Sequence, residues 1–387
     1  MTRVGGAWLE ASGTQTVMRL LEDAGFEAYA VGGCVRNALL GVPVSDVDIS
    51  TSARPETVSD LAEQAGLKAV PTGIEHGTIT VVANGEPYEV TTYRADVETD
   101  GRRATVRFAE TLAEDALRRD FTMNALYADR HGQVFDPLGG LDDLNARRFR
   151  FIEDAGTRIR EDYLRILRYF RFSAWYGAPE AAFDAETLAA IAGALDGLER
   201  LSRERVGSEL CKLFAAPDPV MAVSVMAQTG VLGRVMPGAT PRALGPLLLQ
   251  EDILGLAPDS LRRMAACGFF DGVALRLSKA EQKRLGLYHR LVSGLQGLPE
   301  IAWREGRSVA LDVAALRAAS LEMPLAPDTA AAIAVGAEAV FPVSASDLMP
   351  AMQGPALGKA LHALEERWIA SGFTLGKGAL LESLNLG

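Results

Sequence analysis

The alternation of apolar and polar positions changes character once along the chain. Thr14–Ala24 carries apolar residues at helical spacing, and Phe26–Val31 reads as a short strand that runs into Gly32-Gly33. Ser45–Ser50 reads as a second strand. Thr78–Val82 and Tyr88–Thr92 are β-rich runs joined by Asn84-Gly85-Glu86-Pro87, which predicts a hairpin. Val97–Thr105, with Asp100-Gly101 and two arginines, reads as an exposed mobile loop. A last strand is expected over Val134–Phe135 or over Phe149–Ile152. From Glu161 onward the period is helical throughout, with breaks near Pro179, Pro217, Pro237 and Pro258. The expected fold class is an α/β head with a mixed sheet and helices, about 150 residues long, followed by an all-α remainder.

Composition narrows the field. The 387 residues are 48% apolar and 23% charged, ordinary globular usage that excludes collagen, coiled coil and disorder. No apolar run approaches the ~18 residues of a membrane span, and Met1–Gly13 shows no secretory signal, so a cytoplasmic protein is expected. Cys34, Cys211 and Cys267 are isolated, which argues against a disulfide framework or a cysteine zinc site. The net charge of −11 argues against a generic polyanion binder. Residues 101–171, however, hold 14 arginines against 12 acids, so a nucleic-acid contact would be local.

Candidate chemistry lies mostly in that first half. In Val31-Gly32-Gly33-Cys34-Val35-Arg36, two glycines after a strand let backbone N–H groups approach a triphosphate, and Arg36 can add a charged contact; an ordinary tight turn would read the same way. Asp46 and Asp48 lie two apart in a β context, so both carboxylates are expected on one face of the sheet. Hard paired oxygens suit Mg²⁺ and phosphoryl transfer. Glu89, in the middle of a strand, is a third carboxylate, either a ligand or on a solvated face. In Arg118-Arg119-Asp120-Phe121-Thr122-Met123-Asn124-Ala125 the arginines can reach phosphates, while Asp120 or Asn124 can bond a sugar hydroxyl.

Asp162, Arg165, Arg168 and Arg171 recur every three residues, with Leu164, Leu167 and Phe170 as the buried companion stripe. Three arginines against one aspartate give a net positive face suited to a triphosphate or RNA. Adenine and cytosine both offer a ring-nitrogen acceptor beside an amine donor, whereas uracil and guanine offer the reverse. An Asp accepting and an Arg donating would therefore select A and C, and Asp162 with Arg165 has those types on one face.

Four ordered segments together resemble the tRNA nucleotidyltransferase and poly(A) polymerase family, the class II branch of the DNA-polymerase-β-like superfamily. They are Gly32–Arg36 with Asp46-Val47-Asp48, Arg118–Ala125, Asp136–Leu144 and Glu161–Phe172, within residues 27–175. The resemblance implies a nucleotidyltransferase head over residues 1–147, a helical neck over 148–210 and a helical body and tail over 211–387. It implies that Asp46 and Asp48 bind Mg²⁺, with Glu89 a looser third acid. Gly32, Gly33 and Arg36 would take the phosphates; Arg119, Asp120 and Asn124 would hold the nucleotide. Asp162 and Arg165 would form an amino-acid template for the base, supported by Arg168 and Arg171. The loop near Asp100–Ala104 corresponds to a segment linked to switching from C to A addition, and Gly354–Lys359 resembles a tail segment whose helix start could grip RNA phosphate. Asn37 stands where the family often has Asp, and His76, His131, His289 and His362 are too scattered for a phosphohydrolase module.

The function implied is template-independent addition of CCA to tRNA 3′ ends from CTP and ATP, with tRNA as partner, no membrane and no obligate protein partner. A poly(A) polymerase, or an enzyme adding only CC or only A, shares these motifs. A non-catalytic RNA-binding protein and a dinucleotide-binding dehydrogenase are the readings from other classes; intact Asp46 and Asp48 oppose the first, and the lack of GxGxxG opposes the second.

Overall fold

The computed structural model describes residues 2–99, 104–178, 183–349 and 352–384. Among the described residues nine strands occur, all before position 136: β1 (Ala28–Val31), β2 (Asp48–Thr51), β3 (Lys68–Gly73), β4 (Thr78–Ala83), β5 (Glu86–Thr92), β6 (Arg94–Thr99), β7 (Ala104–Phe108), β8 (Tyr127–Ala128) and β9 (Val134–Phe135). Seven form one sheet in the order β3-β4-β5-β2-β1-β8-β9, and β6 and β7 pair with each other. The β2–β5 pair is parallel and the other pairings are antiparallel, so the sheet is mixed as expected. The parallel pair sets Asp48 opposite Glu89.

The hairpin turn is tighter than its sequence suggested. Asn84 and Gly85 alone link β4 and β5, with φ of 55° and 85°. Positive φ at both central residues matches the right-handed strand twist, which is why Asn-Gly is favoured there. The helix Ser12–Asp23 packs Val17, Met18 and Leu21 onto Ile49, Ile79, Val81 and Val90 of the sheet. Each such side chain contributes about 1.5–3 kcal/mol on burial.

Three expectations need correction. β2 begins at Asp48, so Asp46 lies in the irregular approach to the strand and the shared-face argument holds for Asp48 only. Val97–Thr105 is not wholly a loop: β6 and β7 pair through it, and positions 100–103 lie outside the described residues. Asp162 is not on the arginine helix, which runs from Leu164 to Tyr176; it sits in the break after the helix Ala155–Glu161. Of the two alternatives for the last strand, Val134–Phe135 pairs with β8, while Phe151 makes only an isolated bridge to Phe121.

Beyond β9 no strand occurs among the described residues. The chain divides into two compact units, Met1–Leu213 with Met221–Val235, and Phe214–Val220 with Met236–Gly387. The second unit holds a buried ionic cluster. Arg262 meets Glu251 and Asp312 at 2.8 and 2.7 Å, and Arg263 meets Glu251 at 2.8 Å while donating to the Phe214 and Ala216 carbonyls. Desolvated guanidinium groups are tolerated because every direction finds an acceptor. No helix among the described residues is long and apolar enough to cross a membrane. Cys34 and Cys267 are buried free thiols, pushed up to about 11 and about 12 by burial, which makes both poor nucleophiles.

Candidate nucleotide and metal site

The first element of the site is the turn from β1 into the helix Gly33–Leu40. Gly32 caps that helix at φ 71°, ψ −112°, backbone open to glycine alone. A Cβ there would lie 3.4 Å from both Arg119 Nη1 and the Asn124 carbonyl. The start of this helix leaves its first N–H groups without intrahelical partners beside that turn, as an anion site requires.

The second element is acidic. Asp46, Asp48 and Glu89 are all exposed at the edge of this space. Burial of its surroundings raises the Asp48 carboxyl above its ordinary value, Glu89 and Asp46 raise it further, and Arg119 opposes them. Hard oxygen donors that repel one another are the donor set a divalent cation relieves. Ligand atoms of three His, Cys, Asp or Glu residues fall within 4.8 Å of one another at His362, Glu365 and Glu366, the one such group among the described residues. Arg304 already pairs with both of those glutamates, so the acids there have a cation. The Asp46, Asp48 and Glu89 set is more open.

The third element is a set of arginines whose donors are already engaged, most of them by carboxylates. Arg36 is buried, and its guanidinium lies 4.2 Å from the Tyr176 ring and 5.0 Å from that of Phe172. It donates to Asn124 Oδ1 at 2.6 Å, to Asn37 Oδ1 at 2.9 Å and to the Tyr176 hydroxyl at 3.0 Å. Asn37 thus keeps the hydrogen bonding expected of an Asp. Asn124 Nδ2 donates to Asp120 Oδ1 at 3.0 Å, and Arg168 Nε donates to Asp120 Oδ2 at 2.7 Å. Burial pulls the Asp120 carboxyl up, but Arg168 and Asn124 outweigh it and hold it at about 2. Arg171 pairs with Glu209 at 2.7 Å. Arg165 binds Glu161 and donates to the carbonyls of Arg158 and Arg118 at 2.9 and 3.1 Å. The expected net positive face is therefore neutralised from within. Asp162 accepts from Leu164 N–H at 3.0 Å and pairs with Arg205 at 2.6 Å, so its arginine partner here is Arg205 rather than Arg165.

Residues 28–150 match the family described as the poly A polymerase head domain, and residues 182–242 match the probable RNA and SrmB-binding site of polymerase A. The CCA-adding enzyme of Geobacillus thermodenitrificans is 42% identical over 224 residues, which are 57% of this chain and 54% of that protein. That of Streptococcus pyogenes serotype M2 is 44% identical over 212 residues, 54% of this chain and 51% of that protein. Residues 28–150 and 182–242 thus carry a likeness to the tRNA nucleotidyltransferase and poly(A) polymerase family.

The chain's match spans about half the length of those curated relatives. Among solved structures, the Bacillus stearothermophilus CCA-adding enzyme in complex with CTP has a TM-score of 0.70 at 29% identity, covering 93% of this chain and 92% of that one. A tRNA nucleotidyltransferase complexed with a primer tRNA and an incoming ATP analogue shares the fold at TM-score 0.61 and 23% identity, covering 79% and 94%. The polymerase-β-like head with a mostly helical remainder is thus the fold this chain shares with them.

The Asp136–Leu144 segment is a buttress for the site. Asp136 accepts from Gly140 and Leu141 N–H at 2.7 and 2.9 Å, capping a short helix. Gly140 touches the turn Thr122–Asn124 so closely that a Cβ would lie 2.2 Å from the Thr122 carbonyl. Asp143, fully buried, takes the Thr122 hydroxyl at 2.6 Å. Sequence reasoning missed Asp115, Tyr127, Tyr176, Arg205 and Glu209. Tyr176 closes the Glu161–Phe172 stripe one turn later; the others carry no spacing signal.

Proposed function

We propose that the protein adds CCA to the 3′ end of tRNA from CTP and ATP, without a nucleic-acid template, in the cytoplasm. The observation that carries this reading is the meeting of the Gly32 turn, the Asp48–Glu89 strand pair and Arg119 around one space. The similarity to the Geobacillus enzyme over the same stretch supports it.

Asp46 and Asp48 would hold Mg²⁺, with Glu89 beside them. When bound, the metal supplies charge at the α-phosphate and at the attacking and leaving oxygens. The helix start after Gly32, with Gly33 and Arg36, would receive the triphosphate. Arg119 would present Nη1 to it, with Asp120 and Asn124 near the ribose. Asp162 would accept from the exocyclic amine of cytosine or adenine, and Arg165 would donate to the ring nitrogen after giving up Glu161, with Arg168 and Arg171 supporting that face. Catalysis would rest on positioning and on charge placed where the transition state needs it. The tail helix beginning at Gly354 and the segment matched over 182–242 would offer tRNA surface.

The test is end-labelled tRNA lacking CCA, incubated with Mg²⁺ and CTP, ATP, both, or UTP with GTP. Growth by two residues with CTP and by three with both nucleotides is expected. A stop at two with both would mean a CC-adding enzyme, and long A tails a poly(A) polymerase. No growth would overturn the reading in favour of a non-catalytic RNA-binding protein.

A further inference from the structure

Asp115 has no exposed surface, yet its carboxylate gathers more partners than any acid at the site. Oδ2 accepts from Arg119 Nη2 at 3.1 Å, from the Tyr127 hydroxyl at 2.9 Å and from Ser50 Oγ at 3.0 Å. Oδ1 accepts from Arg118 Nε at 2.8 Å. Tyr127 also accepts from Arg119 Nε, at 3.1 Å. Two of the three nitrogens of Arg119 are thereby fixed. Among the described residues Nη1 has no hydrogen-bond partner, and it lies against the Gly32 turn. Ser50 sits two residues beyond Asp48 on β2, so the same carboxylate anchors the strand that carries the acidic set.

We propose that Asp115 is the positioning residue that aims Arg119 Nη1 at the triphosphate and keeps Arg119 off the metal-binding carboxylates. This rests on the function proposed above. Asp115 cannot touch the nucleotide; it acts through Arg119. The electrostatic reason is that Asp48 also lies in the field of Arg119. An Arg119 deprived of Asp115 turns toward Asp48 and competes there with the divalent cation. Supporting partners of this kind are worth about ten- to a hundredfold in affinity.

The experiment is a double-mutant cycle with Asp115→Asn and Arg119→Met, each folded variant titrated with two probes separately: CTP in EDTA, and Mn²⁺ alone followed by electron paramagnetic resonance. Asp115→Asn is expected to weaken CTP about tenfold and Mn²⁺ by a similar factor. In the double variant Mn²⁺ affinity is expected to return to the level of Arg119→Met alone, and CTP affinity to fall no further than in that variant. A merely structural Asp115 would weaken both probes regardless of residue 119, and that outcome, or wild-type affinities in Asp115→Asn, overturns the proposal. Should Asp115→Asn fail to fold, Tyr127→Phe carries the same cycle with an effect of about threefold on CTP. A wild-type chain that binds neither probe would overturn the function itself and the proposal with it.

Discussion

Asp162 and Arg205 meet in a 2.6 Å ion pair across 43 residues of sequence. The carboxylate proposed to read the base is thus held in its interhelical break by a residue of the helix Arg203–Phe214. Arg205→Met is expected to release Asp162. On the proposed reaction, kcat/KM for CTP and ATP falls about tenfold, and UTP incorporation rises relative to CTP. Single-nucleotide kinetics on tRNA lacking CCA would check this; unchanged selectivity would remove Arg205 from the base-reading set.

Asp48 trades stability for chemistry. Its carboxyl, partly desolvated at the sheet edge and facing Glu89 and Asp46, is raised, so its ionised form costs folding free energy at neutral pH. Asp48→Asn should collapse nucleotide addition by more than about a thousandfold while tRNA binding persists. The same variant should melt about 1–2 °C higher than wild type at pH 7 in EDTA. Below the ordinary carboxylate range the group is protonated in both the folded and the unfolded chain, and the difference vanishes. Differential scanning calorimetry across pH would read it.

Asp120 has the opposite sign. Held at about 2, it contributes stability above the ordinary carboxylate value, and that contribution is lost as pH falls from about 4 to about 2. Asp120→Asn should cost about 2–4 kcal/mol at pH 7, since it leaves Arg168 half-buried beside a neutral group. Urea unfolding of the two proteins should converge toward pH 2.

Gly32→Ala tests the turn. The residue would be forced into a region closed to side chains, at about 1–3 kcal/mol, with its methyl against Arg119 Nη1. Expected outcomes are a lower melting temperature and a KM for CTP at least about tenfold higher, measured at constant tRNA.

Much of the site was legible because its residues are close in sequence. The β1 turn, the β4–β5 hairpin, Asp48 and the arginine pair follow from local spacing, and the four segments carry the family with them. What escaped has a common cause. Asp120 finds Arg168 48 positions away, and Arg171 is neutralised by Glu209 on another helix. No periodicity encodes such partners, so the arginine face read as unpaired. Asp115, within Leu112-Ala113-Glu114-Asp115-Ala116-Leu117, looks like one more surface acid of an amphipathic helix. β3 was missed because Lys68 and Pro71 interrupt an edge strand whose apolar content is slight. Asp46 was drawn onto the strand because alternation in sequence continues past the point where the backbone stops pairing.

The matched arginines bear on tempo. Arg165, Arg168 and Arg171 each hold an acid already. On the proposed reaction an arriving base would exchange partners with these carboxylates instead of meeting bare cations, and each arginine would fall back on its own carboxylate once the nucleotide has been added. The cycle would run three times on one RNA end, and built-in counter-ions would let the face reset between rounds.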